Sequence, residues 1–499
     1  MRAAQTDTMI DGIPAPRSTT PLGGTHGTIE MVAEQRLYGA NNSAEFQAPG
    51  TISIVTRAGT NQLRGMLFYQ HNNSALDARD FFTPKKPSYK THTAGATLGG
   101  PVYIPKLYNG RDRTFFMLSL WGQRVPGTGT LTSTVPTPAM RRGDFSAFPV
   151  SLTDPVTGQP FPGNVIPSAR FSPVALRVQE RFYPLPNFGD PNVLTSNNHR
   201  TLMGARNISN RWEARLDQKI FPKNMVYARF SWRGAVQEPF ESLPTIPVRN
   251  GYRRGSTFVL SDTHTFGTSL INELRFGRQS SPNQVLGSLS GLEVLGYTGI
   301  QGISPPGDYR GMPAFAFGGV VTNVTSTAHT NDRYHSFTVA NNLTWIRGRH
   351  TAKWGLDLVH NGNEGVNVSA GTFGTFNFNG FFTGNAYADF LLGLPERASR
   401  STFREYQDIG GYSQYLFFED AWRINSRITL TLGARYEYQF TFQDSEGLMY
   451  NLDPRTMNLV VPDKAFGSGR INPLLPSTIK VVKASEAGYP QGLRAVDKN

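Results

Sequence analysis

Residues 427–438 set the pattern for most of the chain. Ile428, Leu430, Leu432, Ala434, Tyr436 and Tyr438 share one face, while Arg427, Thr429, Thr431, Gly433, Arg435 and Glu437 share the other. Unbroken period-two alternation predicts a strand whose two faces meet different surroundings. The pattern recurs. Val226, Ala228, Phe230 and Trp232 stand opposite Tyr227, Arg229, Ser231 and Arg233. Trp212, Ala214 and Leu216 stand opposite Arg211, Glu213, Arg215 and Asp217. Ala352, Trp354, Leu356 and Leu358 stand opposite Thr351, Lys353, Gly355 and Asp357, and Phe337, Val339, Leu343 and Trp345 line the strand before them.

A soluble antiparallel sheet with one wet face gives the same alternation. Two features favour a membrane barrel instead. Most candidate strands run about nine to thirteen residues, near the length of a tilted bilayer-crossing strand and above the soluble mode. Aromatic residues also gather at strand ends (Trp232, Trp345, Trp422, Tyr436 and Tyr438), as in the girdles around a lipid-facing band. Connections alternate in length. Tight hairpin turns are predicted at 221–224, 266–269 and 347–349, and long Pro/Gly-rich loops at about 125–205, 279–332 and 359–410. Short turns on one side and long loops on the other fit an outer-membrane barrel. Within the loops, two short helices are expected, one starting at Ser172-Pro173 and one over 385–394. Loop packing explains both.

Residues 1–62 differ in texture. Met9-Ile10-Asp11-Gly12-Ile13-Pro14 predicts a strand end entering a turn, and 28–32 and 53–56 predict short strands. Such pieces are too small for a core of their own. The turn at 57–61 leads into a run at 65–70. There Gly59 is expected at positive φ and Asn61 to bond its own backbone.

Composition narrows the chemistry. Of 499 residues, 51 are Gly, 34 are Pro and none is Cys, which rules out disulfides, thiolate metal sites and a Cys nucleophile. The net charge of +13 is spread over strands and loops without a long basic run, so no nucleic-acid partner is expected. No window is apolar enough for a spanning helix, and the first residues lack the apolar core of a signal peptide. The nine His, at 26, 71, 92, 199, 264, 329, 335, 350 and 360, include no HExxH pair. There is no GxSxG elbow, P-loop or EF-hand loop. Asp144, Asp154, Glu180 and Asp190 fall in one loop region and are expected to be solvated. No catalytic, cofactor-binding or metal residue is assigned, and the chain is not expected to be an enzyme. The aromatic run 371–384, GTFGTFNFNGFFTG, is expected to be a strand and hairpin packed in the barrel, with ligand stacking as the alternative.

Several stretches stand out together: SAEFQAPGTISIVTRAGTNQLRG (43–65), NSALDARDFF (73–82), Leu98-Gly99-Gly100-Pro101 and Arg113-Thr114-Phe115-Phe116. Val135-Pro136-Thr137, MRRGDFS (140–146), Asp154-Pro155, FPGNVIP (161–167), NAYADFLLGLP (385–395) and YSQYLFFEDAWRINSRITLTLGARYEY (412–438) follow. In this order they resemble the large TonB-dependent receptors of the Oar-like, acidobacterial type.

The resemblance implies an outer-membrane barrel occluded by an N-terminal plug, taking up a large or scarce ligand with energy delivered through the TonB complex. Residues 1–62 would be the C-terminal part of the plug and 63–499 a partial barrel wall. Family chains carry a signal peptide, a TonB-contacting segment and a full plug, so this sequence is expected to be a piece lacking both ends. Physics points the same way. Plugged transporters use about 22 strands, against roughly a dozen candidates here, so an open, half-finished wall is expected. The ligand class stays open, and lipopolysaccharide phosphates are expected partners for the basic residues. A soluble or surface β-rich structural or adhesion protein and a passive porin are the alternatives.

Overall fold

The computed structural model describes residues 6–15, 27–39, 42–48, 50–78, 88–239, 241–303, 307–325, 329–401, 406–440, 442–445, 447–467, 469, 471 and 475–488. Two sheets dominate. The smaller is N-terminal: β1 (Thr6–Ile10), β2 (Ile13–Pro14), β3 (Val32–Tyr38) and β4 (Gly50–Thr56), in the order β2-β1-β4-β3. Asp11 and Gly12 join β1 to β2 with φ of 50° and 75°. Left-handed backbone at both central positions is the requirement of a type I′ hairpin, which Asp-Gly meets. The strand expected at 28–32 is instead a 3-10 turn, Ile29–Met31, in which the Met31 N–H returns to the Thr28 carbonyl at 3.0 Å and β3 starts one residue later.

The larger sheet has twelve strands. Eleven follow one another as antiparallel neighbours in chain order: β5 (Arg64–Asn73), β6 (Lys90–Pro101), β7 (Thr114–Ser133), β8 (His199–Phe221), β9 (Asn224–Gln237), β10 (Asn250–Phe266), β11 (Leu270–Leu286), β12 (Thr330–Arg347), β13 (His350–Asn367), β14 (Gln407–Arg423) and β15 (Thr429–Gln439). A two-residue strand, Gln443–Asp444, adds to β14 beyond β15. The sheet is open, with β5 and β15 at its edges.

All three tight hairpins lie where the alternation predicts. Phe221 pairs with Asn224, Phe266 with Leu270, and Arg347 with His350, with Gly267 and Gly348 at left-handed φ of 67° and 61°. The strands run further than expected at their other ends. β7 and β8 have 20 and 23 residues and stay paired out to Ser133 and His199. The long loops therefore span 134–198, 287–329 and 368–406. Beyond the apolar band both faces mix polar residues and glycines with an occasional Leu or Met (Leu131, Leu202, Met203), so the alternation fades while the backbone ladder continues.

The polar face turns inward and the apolar face outward. Ser119, Glu213, Arg229, Ser261, Gln279 and Thr338 are buried, whereas Leu120, Leu274, Leu356, Leu416, Phe418 and Leu432 are exposed. Aromatic rings edge the outward band. Near the short turns His350 stacks on Trp422 at 5.5 Å and Trp354 meets Phe418 at 5.5 Å; at the other rim His360 meets Tyr412 at 4.5 Å. Tyr412 and Trp422 lie ten residues apart on β14. At about 3.3 Å per residue and a tilt of about 40°, that is roughly 25 Å along a barrel axis, the height of a lipid-facing band.

The main hydrophobic core lies in the loops. Four connections, at 134–198, 238–249, 287–329 and 368–406, pool buried Val135, Phe145, Phe182, Ile246, Val294, Phe317 and Phe390 into one cluster. Phe317 packs edge-on to Phe390 at 5.1 Å and stacks on Phe378 at 5.7 Å. Four short helices serve this cap: α1 (Pro138–Arg141), α2 (Pro173–Phe182), α3 (Gly291–Thr298) and α4 (Ala386–Leu392). The two predicted helices are α2 and α4. Ser172 sits at the N-cap of α2 but makes no side-chain cap bond, whereas Asn385 caps α4 by accepting from the Tyr387 and Ala388 N–H groups. The aromatic run 371–384 packs mainly here, with Val366 at the end of β13 against the cluster that holds Phe373. Phe373 and Phe378 are buried in the cap, and Phe381 is left 73% exposed.

Candidate functional site at the inner face of the wall

The inner face of the wall holds the N-terminal sheet through charge. The Asp11-Gly12 turn projects the Asp11 carboxylate into a pocket of donors. One oxygen accepts from the Thr56 N–H at 2.8 Å, and the other from the Thr56 hydroxyl at 2.8 Å. Arg229 on β9 brings Nε to 2.8 Å from Asp11 and a terminal nitrogen to 3.2 Å from Glu213, and the side chains of Arg229 and Glu213 are 0% exposed. Next to them Arg215 donates to the Thr56 hydroxyl at 2.8 Å and pairs with Asp217 at 2.8 Å. Two arginines thus face three carboxylates where water is excluded. Their mutual attraction offsets desolvation only while every partner stays in place.

Packing locks the same contact. Gly277 on β11 faces Ile13, and a Cβ there would lie 2.6 Å from the Ile13 side chain. A second contact joins residues 42–48 to the last strands. The Ala44 N–H donates to Glu419 at 2.8 Å, Arg435 donates to the Glu45 carbonyl at 3.0 Å, and Asn342 donates to the Glu45 carboxylate at 3.1 Å. A cleft of about 620 Å³ opens there, lined by Phe46, Glu419, Thr431 and Arg435 among others.

The connection out of the N-terminal sheet differs from expectation. Gly59 is not at positive φ. Glycine is needed because a Cβ would sit 2.3 Å from the Phe116 carbonyl oxygen. Asn61 bonds across to Asp112, whose N–H it accepts at 2.8 Å, not to its own backbone.

The other candidate groups stay apart. His264 packs on Phe266 at 4.3 Å and His350 bonds Asp420 at 2.7 Å. Asp190 accepts from the Asn192 N–H at 2.9 Å. Asp154 is less solvated than expected: Arg170 bonds it at 3.2 Å and, with the Val156 N–H, holds its carboxyl below the usual range. No group of three His, Asp or Glu able to hold a metal occurs among the described residues.

Sequence patterning passed over one feature of this inner face. Arg211 on β8 and Arg233 on β9 stand directly opposite each other. The predicted turn at 221–224 already set these positions about level, and a like-charge cross-strand pair was the available signal.

An antiparallel wall with apolar face out and polar face in defines an outer-membrane β-barrel protein. Residues 55–499 match the family model described as outer membrane beta barrel domain, and the chain belongs to that family and to the outer membrane. No curated protein matches it. Among solved structures, the outer membrane transporter YddB from Escherichia coli is similar at 10% identity and a TM-score of 0.50, over 88% of this chain and 50% of that one. The alcaligin outer membrane receptor FauA from Bordetella pertussis is similar at 8% identity and 0.46, over 88% and 50%. The ferripyoverdine receptor of the outer membrane of Pseudomonas aeruginosa is similar at 9% identity and 0.45, over 88% and 46%. At these identities the likeness concerns the fold. The chain spans about half the length of these structures.

Proposed function

We propose that the chain contributes the wall and part of the plug of a receptor for TonB-coupled uptake across the outer membrane, of the Oar-like type. Residues 1–62 act as plug and 63–499 as wall. The observation that supports this is the buried Asp11–Arg229–Glu213 network. A passive pore has no use for a separate sheet fastened by charge to its inner face. Charged fastening also suits a part that must move, because water entering the contact can replace each ion pair, whereas a large apolar contact resists wetting. The cap built from the long loops would be the first surface a ligand meets, with Phe381 an exposed aromatic on it. Titrating lipopolysaccharide against charge-reversed rim arginines tests the lipid partnership, and unchanged affinity contradicts it.

Planar-bilayer conductance tests the plug assignment. Low conductance that rises after deletion of residues 1–62 is the expected result. High conductance before deletion favours a passive porin.

A further inference from the structure

On the inner face, Arg229 has two carboxylate partners. Two steps further from the short turns the balance fails. Arg211 and Arg233 are directly cross-strand. Arg253 stands on β10 a diagonal step beyond, opposite Ala235, close enough for its charge to act on Arg233. Among the described residues neither Arg211 nor Arg233 makes an ion pair or a hydrogen bond to a protein acceptor, and the Nε of each is buried without a partner. Glu30 is near enough to act on Arg211, yet it makes no ion pair with it, and its own Oε2 is buried and unpartnered. The Trp121 ring lies under the Arg211 guanidinium at 4.7 Å and fixes its plane.

Like charges directly opposite on neighbouring strands destabilise a sheet. Buried guanidinium donors without acceptors add a desolvation cost. Aligned guanidinium groups are also the arrangement that holds an oxyanion by paired N–H···O bonds. We infer that Arg211 and Arg233, flanked by Arg253, form a binding site for an anion carrying at least two oxygens, of the carboxylate or phosphate type. This deepens the uptake proposal and rests on it for its physiological meaning, since it assigns the lumen an anionic ligand. Glu30 acts as a weak internal competitor for the same donors.

Trp121 supplies the readout. The full chain, folded in detergent, is titrated with citrate and separately with inorganic phosphate at constant ionic strength while tryptophan emission is followed; Trp121→Phe identifies the signal. Saturable binding of at least one probe is expected, and the probe that binds more tightly identifies the oxyanion type. Arg211→Gln and Arg233→Gln should each weaken it about tenfold or more. Glu30→Gln should tighten it severalfold. In probe-free buffer Arg233→Gln should raise the melting temperature by relieving the repulsion, which also shows that the variant folds. Absence of saturation with both probes, or equal titration of folded Arg→Gln variants and the native chain, overturns the inference. Such a result leaves the conductance test of residues 1–62 untouched, and failure of that test leaves this titration standing.

Discussion

Arg229 Nε lies 2.8 Å from the Asp11 carboxylate with no exposure of the arginine side chain, so a wall strand and a turn of the N-terminal sheet share one buried charge pair. Asp11→Ala leaves Arg229 with Glu213 alone and should destabilise the docked sheet by about 3–5 kcal/mol. Guanidinium unfolding in micelles, with protease cleavage near residue 57 as a second reading, measures it. Asp11→Ala combined with Arg229→Met should cost more than Asp11→Ala alone, since Glu213 is then left buried without its partner.

Gly355 on β13 lies under the ring of Phe417, where a Cβ would come 1.9 Å from Cε1. Gly355→Ala should cost about 1–3 kcal/mol through overpacking. Phe417→Leu in the same chain should recover most of it. Equal stability of native and Gly355→Ala proteins contradicts the packing.

The cap carries two carboxyls with opposite pH behaviour. Arg170 and the Val156 N–H depress the Asp154 value. Its stabilisation is present above the unfolded value of about 3.9 and is lost as pH falls through the lower folded value. Burial raises the Asp389 value, although the Thr383 N–H and hydroxyl bond it at 2.8 and 2.7 Å. Its stabilisation is full below about 3.9 and is lost as pH rises through the higher folded value. Asp154→Asn should therefore flatten the acid limb of the cap's melting profile. Asp389→Asn, which keeps an acceptor for Thr383, should remove the decline on the rising side. Unchanged limbs contradict these assignments.

Depth along the outward face predicts a gradient. Leu356 lies mid-band, between the levels of Trp422 and Tyr412, and His360 lies beside Tyr412 at the rim. In bilayers Leu356→Arg should cost about 2–4 kcal/mol and His360→Arg about 0–1. Urea unfolding from liposomes compares them.

What was legible in the sequence follows from what has a short-range signal. Period-two alternation located the strands through the band, and the turns after Phe221, Phe266 and Arg347 were fixed by local chemistry. The strand extensions to Ser133 and His199 carry no clean alternation because Leu131, Leu202 and Met203 are scattered over both faces among polar residues and glycines. The cap core joins Val135, Ile246, Phe317 and Phe390 across four loops, and no local period links such distant residues. Helix α3 has a Ser290 cap and a left-handed Gly299, but eight residues are too few for a clear 3.6-residue period. Of the inner-face site, the polar rows around Arg229 and Arg211 were visible as faces. The Asp11 partnership was not, because it spans the chain from residue 11 to residue 229.

Which face of the wall meets lipid decides the whole account. The chain has no Cys, so single Cys substitutions at successive β13 positions provide clean probes. Fluorophores at Trp354→Cys, Leu356→Cys and Leu358→Cys should be quenched by brominated lipid chains, and those at Lys353→Cys and Asp357→Cys should not. Uniform quenching, or quenching of the second set alone, contradicts a barrel wall with its apolar face in the bilayer.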